Sequence, residues 1–348
     1  MSSLRARFAP MLAASAGTLP DRLAGWAIEP KWDGIRVIAD VDARGARLWT
    51  RNGNDKAPQF PEVVRALKAL AANGGPLVLD GEIVALDARG RALRFQALQG
   101  RMHAESEATR ARHAAATTTA FVAFDLLADG GRSLTSLPFT ERRRALEARV
   151  PARRTASVRR GESVRCGSAA AKKLFARARA EGWEGVLLKR VDSPYVAGKR
   201  TPDWRKVKLE REQEFVIGGY TAPTHGSARD HFGALLVGYY DDRGALHYAG
   251  KVGTGYTVPM LALLARTLAP LRQPTTPFVD APRARGASTT WVKPVLVAQV
   301  RYNEITEAGI LRQPSFLGLR DDKAARDVRL ESTGSAAGAV TNGLLCAS

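Results

Sequence analysis

The chain has 348 residues, 45% of them apolar and 25% charged, which is enough apolar material for two domains with their own cores and excludes general disorder. Lys and Arg number 53 against 34 Asp and Glu, a net charge of +19 that favours a polyanionic partner, because phosphate contacts release condensed counterions; an arginine-rich codon habit of a GC-rich genome produces the same surplus, so charge alone leaves the partner open. No run of about 18 apolar residues is present, which excludes an apolar membrane-spanning helix, and Cys166 and Cys346 are too few for a Cys-x-x-Cys metal knuckle or an oxidised scaffold; the expectation is a soluble, monomeric protein of a reduced cytoplasm with no membrane partner.

Residues 1–20 read as an irregular lead-in. Trp26 to Lys31, Ile35 to Val41 and Ala46 to Thr50 then read as short strands bounded by Asp, Gly and Arg-Asn-Gly turns, a β-meander around Lys31. Pro61 to Ala72 has helical spacing, with Pro at its start and Asn73-Gly74-Gly75 at its end. Leu77 to Leu86 and Phe121 to Leu127 are apolar enough for buried strands, and Thr140 to Val150 and Ala169 to Glu181 are basic, helix-forming stretches. Residues 151–168, rich in Arg, Ser and Gly, read as a surface excursion.

After Lys208 the texture changes to Gly-punctuated strands at 214–220, 233–240 and 245–252, a helix near 258–271 and a long strand at 291–305, with a Pro/Arg/Ala loop at 273–289. Five strands and one helix suit a small oligonucleotide-binding (OB) barrel. The expected division is 1–208, 209–329 and a disordered Gly/Ser/Ala-rich tail at 330–348.

Lys31 closes a short apolar run and is followed at once by a turn-forming Asp33-Gly34. A free ammonium with a pKa of about 10.4 is a poor nucleophile at neutral pH, but neighbouring cations release the amine, and Arg36, Lys206 and Lys208 are the candidates. Taken alone, Lys-x-Asp-Gly reads sooner as a solvated strand end. Lys206 and Lys208, two apart on a predicted strand, point to one face and reach one phosphate together, or are a plain basic strand.

Further motifs follow in order: Leu48-Trp49-Thr50-Arg51-Asn52-Gly53, Leu79-Asp80-Gly81-Glu82-Ile83-Val84, Phe121 to Leu127, Glu181 to Lys189, and Trp204-Arg205-Lys206-Val207-Lys208. With Lys31 this series resembles that of the covalent nucleotidyltransferase superfamily of DNA ligases, RNA ligases and mRNA capping enzymes. Gln213 to Thr221, Phe232 to Tyr240, Ala249 to Gly255 and Arg312 to Lys323 resemble the ATP-dependent ligase module of bacterial ligase D, and the resemblance covers about residues 8–328. The polymerase and phosphoesterase modules of that family are not seen, so the chain resembles an isolated ligase module or a fragment of a longer protein. The missing four-cysteine zinc module sets it apart from the NAD-dependent ligases.

The resemblance implies an α+β nucleotidyltransferase (ATP-grasp-like) domain with antiparallel sheets and flanking helices, followed by an OB-fold β-barrel. It implies a DNA ligase that joins 3′-OH and 5′-phosphate ends through lysyl-AMP and DNA-adenylate, acting in non-homologous end joining on nicked or broken duplex DNA, in the bacterial cytoplasm at the nucleoid, with Ku as a partner. Lys31 would be the nucleophile. Glu82 and Glu184 would hold Mg²⁺, or Mn²⁺ in its place, where their bland alternative is a pair of surface salt bridges. Arg51 would hold a phosphate of nucleotide or DNA, Arg36 the ribose or phosphate side, and Glu29 the adenine edge. Phe124 would stack on adenine, although by its own pattern it is a core residue. Lys206 and Lys208 would meet the α-phosphate, Arg320 and Lys323 the leaving pyrophosphate, and Lys251 the DNA backbone; because the surface with Arg320 and Lys323 would swing in for adenylation and away for DNA, the resemblance implies an interdomain hinge near 208–212. An RNA ligase, a capping-type guanylyltransferase and a non-catalytic basic DNA-binding scaffold are the competing readings.

Overall fold

The computed structural model describes residues 8–16, 23–104, 106–153, 156–167, 169–181, 183–209, 211–223, 232–281 and 288–331, with Arg179 described by its backbone only. The chain parts into two compact units between Glu210 and Arg211. The tail expected to be disordered lies outside the described residues from 332 onward, as do residues 282–287 of the expected loop.

In chain order the first unit contains β1 (Leu12–Ser15), β2 (Trp26–Lys31), β3 (Ile35–Val41), β4 (Ala46–Thr50), α1 (Pro61–Gly74), β5 (Leu77–Ala85), α2 (Glu107–Ala116) and β6 (Thr119–Asp129). It continues with β7 (Arg132–Ser133), α3 (Phe139–Arg149), β8 (Val158–Arg160), β9 (Val164–Arg165), α4 (Ala169–Ala180), β10 (Gly185–Arg190) and β11 (Arg200–Lys208). Two sheets organise them, ordered β1-β11-β10-β2-β9 and β4-β3-β5-β6-β7, the second extended by β8 on β6. Most pairings are antiparallel; β1 with β11 and β6 with β8 are parallel.

The meander expected around Lys31 does not form, because β2 belongs to one sheet and β3 and β4 to the other. The Asp33-Gly34 turn carries the chain between them, and a Cβ on Gly34 would lie 2.1 Å from the Ile83 carbonyl oxygen, so only glycine passes so close to β5. Two further expectations are corrected. The lead-in is not wholly irregular, since β1 edges the first sheet. Residues 151–168 are not a mere surface excursion: β8 joins one sheet and β9 the other, with Val158 and Arg159 buried.

α1 begins on Pro61, which lacks only an amide that a first turn leaves unpaired, ends before Gly75 at φ 83°, and buries Val63, Leu67 and Ala71. These pack on the face of the second sheet that carries Val37, Leu79 and Phe121. α4 covers the outer face of the first sheet over Ile28, Val186, Leu188 and Val207. Ile38, Val78 and Phe124 from one sheet meet Leu187 and Trp204 from the other, so the inner faces of the two sheets look at each other.

The second unit contains β12 (Glu212–Thr221), β13 (Leu235–Tyr240), β14 (Leu246–Val252), α5 (Val258–Leu268), β15 (Arg272–Gln273), β16 (Thr289–Val292), β17 (Val297–Arg301), β18 (Glu304–Ile305), β19 (Leu311–Arg312) and β20 (Ser315–Arg320). The order β14-β13-β12-β16-β15, with β17 bridging β12 to β20, bends round until Thr254 after β14 pairs with Ser315 on β20, as an OB barrel requires. The long strand expected at 291–305 is broken: Pro294 interrupts it between β16 and β17.

Candidate active site

β2, β10 and β11 run side by side, and their register sets Lys31, Gly185 and Lys208 in one row and Glu29, Leu187 and Lys206 in the next. Because side chains alternate, Glu29, Lys31, Lys206 and Lys208 share the inner face, while Ile28 and Val207 turn to α4. Gly185 lets the β11 backbone approach closely: a Cβ there would lie 2.3 Å from the Val207 carbonyl oxygen. On the facing sheet, Arg36, Glu82 and Val122 stand abreast across β3, β5 and β6. The Glu82 Cγ is 3.0 Å from where a Gly34 Cβ would sit, which brings this acid to the turn that follows Lys31.

Lys31 Nζ donates to Glu184 Oε2, with the lysine side chain 24% exposed and the glutamate 4%. Burial is the largest influence on the ammonium and favours its loss of a proton, as does the charge of Lys208. Glu184, by charge and hydrogen bond, and Asp33 act the other way, and the balance lies above the ordinary 10.5. The expected release of the amine by nearby cations is therefore corrected: Lys31 rests as an ammonium held by an acid.

Arg36 is not left open for a ribose or phosphate. Its Nε and Nη2 donate to Asp80 Oδ1 and Oδ2 at 3.0 and 2.6 Å, and its guanidinium lies 5.4 Å from the Phe124 ring centroid and 5.6 Å from that of Trp204. Tyr195 donates to the same Asp80 at 2.7 Å and accepts from the Met11 amide at 2.8 Å. Phe124 is buried edge-on to Trp204 at 6.4 Å, within a core that joins the two sheets. Glu29 is buried against Lys189 at 2.9 Å.

A cavity of about 770 Å³ opens beside Lys31 and Glu184, with Trp32, Trp183, Arg94 and Arg159 among its walls. Of the residues singled out from sequence, only Lys31 and Glu184 line it. Arg51 follows β4, is exposed, and lines a separate small cavity of about 90 Å³ with Phe8, Ile38 and Val78. In the second unit, Arg320 forms a two-point ion pair with Asp322 at 2.8 and 2.7 Å, Lys323 pairs with Glu214 at 3.1 Å, and Lys251 is exposed on β14.

Among the described residues no three His, Cys, Asp or Glu side chains converge as a metal cluster. Glu82 and Glu184, two hard oxygen donors on either side of the Lys31 turn, still suit a cation that keeps most of its own water, as Mg²⁺ does.

Two family models match this chain: the ATP dependent DNA ligase domain over residues 10–208 and the ATP dependent DNA ligase C terminal region over 228–323. The chain belongs to the ATP-dependent DNA ligase family. It is 39% identical over 321 residues to the multifunctional non-homologous end joining DNA repair protein LigD of Mycobacterium tuberculosis, spanning 92% of this chain and 39% of that protein. To DNA ligase C1 of Mycolicibacterium smegmatis it is 38% identical, over 76% of this chain and 73% of that one. Its structure resembles that of mycobacterial DNA ligase D complexed with ATP and MES, at TM-score 0.62 and 37% identity, covering 93% of this chain and 98% of that one. The ligase family fold accounts for both units, the nucleotidyltransferase sheets and the barrel.

Charged residues that sequence reasoning passed over complete the site: Asp80, which holds Arg36, and Lys189, which holds Glu29. Each is a fully buried charge in a largely apolar strand, and such a charge persists in a core only with a partner.

Proposed function

We propose that this chain is an ATP-dependent DNA ligase that joins a 3′-OH to a 5′-phosphate. The observation that carries the reading is Lys31 at the inner edge of β2, paired to Glu184 and aligned with Lys208 across Gly185. Lys31 must first give up a proton, and Glu184 Oε2 is placed to take it. The amine then attacks the α-phosphorus of ATP; the P–N bond forms and the bond to pyrophosphate breaks. Adenylate next passes to a DNA 5′-phosphate, and a 3′-OH displaces AMP as the phosphodiester forms. Each step needs in-line geometry and neutralised phosphate charge more than acid–base power.

Lys206 and Lys208 are assigned the α-phosphate, and Arg51 a phosphate of nucleotide or DNA. Arg36 is assigned the ribose or phosphate side on release from Asp80. Glu29 takes the adenine edge and Phe124 the adenine face. Arg320 and Lys323 meet the leaving pyrophosphate on release from Asp322 and Glu214, and Lys251 meets the DNA backbone. Glu82 and Glu184 would hold a magnesium ion, which supplies charge neutralisation at the phosphates. A cavity of about 770 Å³ at Lys31 is of nucleotide size. We extend the proposal to non-homologous end joining at the bacterial nucleoid, with Ku as partner, on the strength of the end-joining relatives.

Incubation with α-labelled ATP and Mg²⁺ tests this reading. Expected is a label that Lys31→Ala abolishes, that pyrophosphate discharges, and that moves to nicked duplex DNA. Labelling by GTP alone, sealing of RNA alone, or salt-sensitive duplex binding without any covalent nucleotide would overturn it in favour of a capping enzyme, an RNA ligase or a scaffold.

A further inference from the structure

The cavity beside Lys31 reaches well past the lysine. Neither Lys206 nor Lys208 lines it; its other walls come from α3, α4, residues between Asp87 and Arg94, and the connection from β8 to β9. The sheet order sets β9 and β11 on opposite sides of the β2–β10 pair, so the chamber extends away from the lysines assigned to the α-phosphate. At about 770 Å³ it takes a ligand of nucleotide size and shuts out a double helix.

Two indoles line this chamber. Trp32 follows Lys31, Trp183 precedes Glu184, and both are half-buried. Their ring centroids are 6.5 Å apart with 29° between the planes, toward the loose end of the roughly 4.5–7 Å over which aromatic pairs associate. The Arg177 guanidinium, paired with Glu162, lies 5.2 Å from the Trp183 centroid. The same walls carry unmet donors. Arg143 gives Nε to Glu147 at 2.8 Å and Nη2 to the Gly161 carbonyl oxygen at 2.7 Å, and its Nη1 is buried with no hydrogen-bond partner among the described residues. Trp32 Nε1 is equally unmet, 3.3 Å from where a Gly161 Cβ would sit. Buried donors of this kind cost free energy that an acceptor-rich ligand recovers, and phosphate oxygens and nucleobase edges are such acceptors. Aromatic faces beside guanidinium groups hold single strands; a paired base keeps its faces inside the duplex stack.

We propose that this chamber binds an unpaired nucleotide of the DNA substrate, its base laid against Trp183 and Trp32 and its phosphate beside Arg143 and Arg177, apart from the adenylate site. A frayed or overhanging strand held there lies next to Lys31. The inference goes beyond the ligase reading and rests on it only for DNA as the substrate.

The test measures affinity for a blunt duplex and for the same duplex carrying a short single-stranded overhang, in the wild type, Trp183→Ala and Arg177→Gln. The wild type favours the overhang, and its tryptophan fluorescence changes on binding it. Trp183→Ala lowers the ratio of the two affinities by about 5-fold to 100-fold, as the loss of one base–aromatic stack does, and Arg177→Gln lowers it less. Under ultraviolet light, 5-iodouracil placed in the overhang cross-links the wild type at Trp32 or Trp183, read by mass spectrometry. A merely structural Trp183 weakens both substrates alike, and an unchanged ratio overturns the inference. A raised KM for ATP with the ratio intact gives the chamber to the donor nucleotide; that too overturns the inference while the adenylation reading stands. Should Trp183→Ala fail to fold, the wild-type cross-link decides, and attachment elsewhere or none overturns it. Overhang preference and the expected cross-link in wild-type protein that takes no label from ATP support the site and overturn the adenylation reading alone.

Discussion

Glu184→Gln isolates what keeps the nucleophile dormant. The substitution preserves size and one acceptor while removing the charge that opposes the burial of Lys31 and the repulsion from Lys208. A charge-assisted hydrogen bond of this kind contributes about 1.5–3 kcal/mol. At about 1.4 kcal/mol per factor of ten, its loss raises the fraction of neutral amine at a fixed pH by about tenfold to hundredfold. Competitive acylation with acetic anhydride at slightly alkaline pH, read by mass spectrometry on the peptide carrying Lys31 with exposed Lys251 as internal reference, measures that fraction. Adenylation by ATP should fall in the same variant, because Glu184 is also the assigned proton acceptor and cation holder, so the two readouts part company. Because the fold raises the Lys31 pKa, the pair stabilises the protein fully below the ordinary lysine value of 10.5 and loses that contribution only as pH climbs through the raised value. The difference in urea midpoint between wild type and variant should therefore be flat across neutral pH. Acylation of Lys31 that is unchanged or slower in Glu184→Gln refutes the reasoning.

Arg142→Met strands Asp125: both side chains have no exposed surface, and the guanidinium bonds Asp125 twice and the Leu137 and Ser193 carbonyl oxygens once each. Urea unfolding should show a loss of about 3–5 kcal/mol, and a loss well under 1 kcal/mol would contradict that accounting. Gly34→Ala drives a Cβ to 2.1 Å from the Ile83 oxygen and 3.0 Å from Glu82 Cγ, and should cost about 1–3 kcal/mol of stability together with most of the Lys31 labelling; full labelling in a stably folded variant would count against the turn as the element that sets the site. His247 is held above its ordinary 6.5 chiefly by its hydrogen bond to Asp280, with Asp241 assisting against burial. The stability this adds is present below 6.5 and fades as pH rises through the raised value. Asp280→Asn should return the NMR titration of His247 toward 6.5, and an unmoved midpoint would reject the assignment.

Strands with a strong pattern were readable to within a residue or two: Trp26 to Lys31, Ile35 to Val41 and Ala46 to Thr50 coincide with β2, β3 and β4. What periodicity did not reveal was their partners. A turn of two residues usually joins adjacent strands, and here Asp33-Gly34 crosses between sheets because β2 pairs with β10, more than 150 residues on. Short edge strands such as β1, β8 and β9 were invisible for a related reason. They hold two to four residues, too few for alternation to show, and β8 buries Arg159 with its guanidinium on the Gly90 carbonyl oxygen, where sequence composition reads only a solvated cation. In the site, residue types were legible and electrostatic balance was not. Lys31 with Lys208 nearby suggests a depressed lysine, and the position of Glu184 in space, with Asp33 assisting, reverses the sign.

Four ion pairs of the first unit tie separate elements together: Lys31 with Glu184, Arg36 with Asp80, Lys189 with Glu29, and Arg142 with Asp125. In each, at least one side chain is essentially buried, so neither partner can be removed without leaving a charge in a poor dielectric. The consequence is a set of charges already neutralised from within, of which one pair, Lys31 with Glu184, lines the cavity. At that pair an anionic ligand does not meet a bare cation; it competes with the carboxylate for it, and the same competition holds the two side chains at fixed angles beforehand. Pre-set orientation of this kind favours the transition state over the ground state, because the cost of aligning charges has been met during folding. It also keeps the lysine unreactive beside its cavity: while Glu184 holds the amine, Lys31 rests as an ammonium.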